Sequence, residues 1–102
     1  MSTRAYLAVS RDHLRSLASD GVLRREGTVA FVSESDDEED ETDAAASAAD
    51  WAEQEDGEAL VVVADLDDPE DPAEDVPLTR IACFLVGDEL AWYAVQELDS
   101  LP

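Results

Sequence analysis

The chain contains no lysine and no asparagine, one cysteine, one histidine, four glycines and four prolines among 102 residues. Each scarcity closes a class of chemistry. The lone cysteine, Cys83, rules out an internal disulfide, and its neighbours Ile81, Ala82, Phe84 and Leu85 mark it as a buried small hydrophobe. One cysteine and one histidine cannot build the usual zinc spacings, and four glycines leave no phosphate-cradling loop. Nucleophilic catalysis needs Ser, Cys or Lys beside a base, whereas His13 falls in the first turn of an exposed-looking helix, as an ordinary surface residue. No catalytic residue, metal ligand or cofactor is therefore assigned. The longest uninterrupted apolar run, Ala59 to Ala64, is too short for a bilayer span, and Met1 to Ser10 lacks a signal peptide's apolar stretch, so the chain reads as cytoplasmic. The missing Lys and Asn, with a single Ile, fit a high-GC genome and carry no functional information.

Positive charge is the scarcest commodity. Residues 26–79 hold no Lys or Arg but 21 of the 27 acids, so this stretch alone accounts for the net charge of −21. The segment before it is net basic through Arg4, Arg11, Arg15, Arg24 and Arg25. A field of this sign repels nucleic-acid phosphates and anionic membranes and attracts basic protein surfaces. Direct nucleic-acid and membrane partners are excluded on that ground.

The pattern predicts an α+β fold: a small mixed sheet of about five strands in a single domain over residues 1–102. Thr3 to Val9 alternates as a first strand, with Ala5, Leu7 and Val9 on one face and Arg4, Tyr6 and Ala8 on the other. One firm helix follows from Ser10 to Asp20, capped by Ser10, closed by Gly21 and burying Leu14, Leu17 and Ala18. Arg24 and Arg25 extend its basic edge. Thr28 to Ser33 is a second strand. Glu34 to Glu58 is predicted as an acidic flexible loop, because Ser33 to Asp43 has nothing to bury. Within it an Ala-rich acidic helix from Ala44 to Glu55 would be capped by Thr42 and stopped by Gly57. Ala59 to Ala64 centres a strand covered on both faces, and Asp67 to Pro77 is a second acidic loop. Leu78 to Val86 is a further strand, turned at Gly87-Asp88 into Leu90 to Val95, with a short helical turn over Gln96 to Leu101; an all-helical reading of 90–101 competes with this.

Arg4-Ala5-Tyr6-Leu7, Asp20-Gly21-Val22-Leu23, Val61-Val62-Val63-Ala64-Asp65 and, above all, the terminal Leu90-Ala91-Trp92-Tyr93-Ala94-Val95-Gln96-Glu97-Leu98 resemble a family of short actinobacterial proteins of unknown function. The resemblance covers about half of the chain in separated blocks and implies a small α+β layer structure. No activity comes with it. This chain departs from the family at Ala8, where a proline is common, and in the acid tract that replaces a longer helical middle. The resemblance thus implies an incomplete helical layer, with one sheet face open to a partner.

Asp65 to Asp71 invites a calcium reading that its spacing defeats: Pro69, Glu70 and Val76 stand where an EF-hand needs a ligand, a glycine and a bidentate Glu. Trp92 or Tyr93 reads as a core residue. Trp51 either docks its helix onto the sheet or forms the hydrophobic centre of an acidic recognition segment. The function expected first is a non-enzymatic protein-binding module whose Asp36, Asp37, Glu38, Glu39, Asp40, Glu41, Asp43 and Trp51 meet a basic protein surface, in the manner of a nucleic-acid mimic or a regulatory subunit. The alternative makes the acidity a high-salt solubility adaptation, with function elsewhere; the basic first helix sits poorly with it. A metal held by acids at strand ends ranks third. An exposed sheet edge on so small a core also invites a second copy, a homo-oligomer.

Overall fold

The computed structural model describes residues 3–32, 38–67, 75–87 and 89–101. Its centre is a five-stranded sheet in the order β3-β1-β4-β6-β7, from β1 (Thr3–Ala8), β3 (Val29–Val32), β4 (Leu60–Leu66), β6 (Ile81–Val86) and β7 (Ala91–Tyr93). The α+β class holds, with every ladder antiparallel where a mixed sheet was expected. The reason lies in the crossover. β3 and β4 run in the same direction but flank β1, so the helix joining them, α2 (Glu38–Asp56), passes over β1 and no parallel ladder forms.

Local chemistry sets the first helix, α1 (Arg11–Asp20). Ser10 Oγ accepts from the His13 N–H at 3.4 Å, and Gly21 closes the helix at φ 73°, its N–H donating to Leu17 at 2.9 Å. Leu14 and Leu17 are buried as expected, but Ala18 is exposed. Beyond the helix, β2 (Val22–Leu23) pairs with β5 (Val76–Pro77) and carries Leu23 and Val76 into the core. Residues 76 and 77, expected in an acidic loop, therefore form a ladder. A 3₁₀ turn over Leu78–Arg80 delays the next strand to Ile81.

Two cores result. One side of the sheet packs Leu7, Leu60, Val62, Leu66 and Phe84 against α1, the β2–β5 ladder and the C-terminal 3₁₀ turn, Val95–Ser100, whose Leu98 lies on this core. On the other side Tyr6, Ala8, Val61 and Val63 pack against Ala44, Ala45, Ala48, Ala49 and Ala52 of α2. β4 is buried on both faces, as its run of valines predicts. A bulge lets Ile81 pair with Ala64 and Cys83 with Val63, so the two β6 residues face opposite cores. At the C-terminus the strand-then-turn reading holds, with tighter bounds than 90–95 and 96–101.

α2 is the largest departure. The Ala-rich helix expected over Ala44 to Glu55 is present, but it begins at Glu38 and runs for 19 residues, so residues 38–43 are helical where a flexible loop was expected, and Thr42 lies inside the helix instead of capping it. Burial is not needed there. Once the alanine stripe is docked, each added residue incurs only propagation, and acids in the first turn complement the positive helix end.

Candidate functional site

α2 carries nine acids and no basic residue, and it meets the sheet through alanine alone. Alanine lets the helix approach closely but gives it little reach. It packs on β3, β1 and β4. Beyond its flank, on the same sheet face, β6 and β7 present Cys83, Leu85 and Trp92, and the 85–92 pairing sets the last two side by side. An open groove of about 280 Å³ lies between, bordered by Tyr6, Val63, Cys83 and Leu85 below and by Glu41, Thr42, Ala45, Leu90 and Arg4 around it. Leu90 continues into a neighbouring hollow with Ala46, Ala49 and Asp50.

Of the two aromatics expected to supply a core residue, Tyr93 packs against the α1 side, whereas Trp92, on the opposite face, is 63% exposed. Leu90 has φ 54°, the only positive φ outside glycine among the described residues. That conformation costs roughly 1–2 kcal/mol for an L-residue. It is offset in part by contact with the α2-side core, which holds an apolar side chain at the groove's edge. Burial, with the Glu41 carboxylate second, raises the Tyr6 hydroxyl above its ordinary pKa. Burial likewise pushes the Cys83 thiol up, so the groove floor favours neutral side chains.

The expected partner-binding residues divide. Asp36 and Asp37 lie outside the described residues, and Glu38 opens α2. Glu39 and Asp43 are exposed, Asp40 and Glu41 half-buried, and Glu41 borders the groove. Helical periodicity puts Glu39, Asp43, Asp50 and Glu53 towards the groove side of the crest and Asp40 and Trp51 on the far flank. Trp51 is 43% exposed and outside the alanine stripe, so it does not dock the helix.

Five of the arginines form ion pairs with carboxylates beyond α2. Arg11 forms a fork with Glu58 at 2.9 and 3.1 Å, and this pairing holds the Glu58 carboxyl below the usual range and raises Arg11. Arg4 reaches Asp65, Arg15 reaches Asp12, Arg24 reaches Asp20 and Asp75, and Arg80 reaches Asp67. All these carboxylates lie outside α2. Arg25, expected on an exposed basic edge, is instead 5% exposed, with its Nε donating to Thr28 and its N–H to Asp75.

His13 is not an idle surface residue either. Ser10 N–H donates to its Nδ1 at 3.0 Å, so the proton sits on Nε2, which donates to the Glu26 carbonyl at 2.6 Å. The ring staples α1 to the loop ahead of β3, and Gly27 leaves room for it: a Cβ there would meet the ring at 3.3 Å. Among the described residues no group of three or more His, Cys, Asp or Glu converges as a metal site, and no helix is long and apolar enough to cross a membrane.

Leu85, Leu90 and the exposure of Trp92 escaped the sequence reading. Hairpin pairing across Gly87 would have put Leu85 beside Trp92, but only the position of α2 reveals that the pair is left uncovered. Comparison of the chain with protein-family models, with curated proteins and with solved structures gives no match in any of the three.

Proposed function

We propose that this protein is a non-enzymatic binding module that presents a carboxylate-rich helix to a basic protein surface, of the kind that also binds nucleic-acid phosphate. One observation carries the reading: a single helix holds nine acids and no basic residue, on a chain of net charge −21. A docked helix holds its carboxylates in fixed relation, so less entropy is lost on binding than from a free acidic loop. The field of such a helix speeds encounter with a cationic partner and is screened within about 8 Å at physiological salt.

Titration of the intact chain with a folded nucleic-acid-binding domain of high pI tests this by calorimetry. Between about 50 and 300 mM salt the affinity falls at least tenfold. The variant with Glu39→Gln, Asp43→Asn, Asp50→Asn and Glu53→Gln binds more weakly at both salts and loses most of the salt dependence. Binding indifferent to salt, or none at all, rejects the proposal. The high-salt adaptation makes a different forecast, a fold stabilised by molar KCl whose binding ignores these four residues.

A further inference from the structure

We infer that the groove beside α2 is the seat of an amphipathic helix from the partner protein, apolar on the face that enters the groove and basic along the edge that meets α2. This deepens the binding role proposed above and rests on it.

The first support is geometric. α2 is centred on β1, and β6 lies two strands further across the sheet, about 10 Å away. Packed helices stand about 8–10 Å apart, so one more helix beside α2 would run over β6. The six residues of β6 give it a floor about 20 Å long, three to four helical turns. The opposite face of β6 is already closed by Leu98 and its neighbours, which leaves this face as the one with room.

The second support is chemical. The floor offers Cys83 and Leu85, with Leu90 at the edge and the 63% exposed Trp92 beside Leu85 across the β6–β7 pairing, a set suited to aliphatic anchors. Along the α2 wall stand Glu41 and Asp50, with Glu39, Asp43 and Glu53 on the crest above. Arg4, at the far end, is engaged by Asp65 at 3.5 Å. An occupant must therefore be apolar below and cationic along one side. A second copy of this chain fits poorly, because it would bring a further net charge of −21 to the same wall.

The probe is a synthetic 14-residue Leu/Lys peptide with its leucines at helical spacing, compared with a peptide of the same composition whose order leaves no apolar face. A Trp51→Phe background makes Trp92 the sole tryptophan. The amphipathic peptide is expected to shift Trp92 emission to the blue and to bind at least tenfold more tightly than its control. Leu85→Glu should weaken it at least tenfold. Trp92→Ala, followed by anisotropy of a labelled peptide, should do likewise with little effect on folding.

Equal, salt-sensitive binding of both peptides overturns the groove inference and leaves the electrostatic role standing. Binding of neither overturns both. Tight binding that ignores Leu85→Glu and Trp92→Ala also overturns the groove. So does self-association of the unliganded chain that Leu85→Glu abolishes, which would make a second copy the occupant.

Discussion

The two faces of the sheet are closed in opposite ways. On the α1 side, large side chains such as Leu7, Leu17, Leu66 and Phe84 interlock with a helix, a short ladder and a 3₁₀ turn. On the α2 side a single helix lies flat on five alanines and covers three strands of five. The first arrangement is built for stability. The second gives up burial over β6 and β7 and leaves an acidic wall beside an apolar floor. Large-side-chain packing thus lies on one face of this small sheet, and the surface proposed for binding on the other.

Four measurements would break or sharpen that division. The largest effect is expected on the closed face, where Phe84→Ala should cost about 3–5 kcal/mol in urea denaturation, enough to threaten a domain of this size. A cost below about 1 kcal/mol there would mean that the α1 side is not the main core. On the alanine face the damage should come from adding volume. Ala48→Leu, at a site with no exposure, should cost about 1–3 kcal/mol and lift α2 from the sheet.

The third effect concerns pH. The raised Tyr6 hydroxyl and Cys83 thiol both lie on the α2 side. A folded-state pKa above the unfolded value contributes stability below the unfolded value, and that contribution is lost as pH rises through the folded one. Stability should therefore decline above about pH 8.5, and Cys83→Ala should flatten the decline. A slope unchanged by Cys83→Ala would detach it from the groove floor. The smallest effect is expected from Trp51→Ala, within about 0.5 kcal/mol, because that side chain lies outside the alanine stripe. A loss several times larger would restore Trp51 as the anchor of α2.

Much of the fold was legible. Strands β1 and β4 follow from alternation and from the valine run, and α1 from Ser10 and Gly21, because these signals are local. The hairpin at Gly87 and the terminal turn could be read in the same way. What could not be read depended on partners far along the chain. Val76 and Pro77 look like loop until Val22 and Leu23 pair with them. Arg25 looks like a surface cation until Thr28 and Asp75 take its side chain and its amide. Which of Trp92 and Tyr93 is core stays open until the width of α2 is known, and the acids before Ala44 look disordered until the alanine stripe beyond them is docked.

The sequence by itself determined the charge, where it lies, and which short segments must be strand or helix, since these depend on composition and on periods of two and 3.6 residues. Only the tertiary structure decided that the acidic helix extends back over Glu38 to Asp43 and that it stops short of β6 and β7. Both outcomes depend on how far small alanine side chains can extend a layer across a sheet.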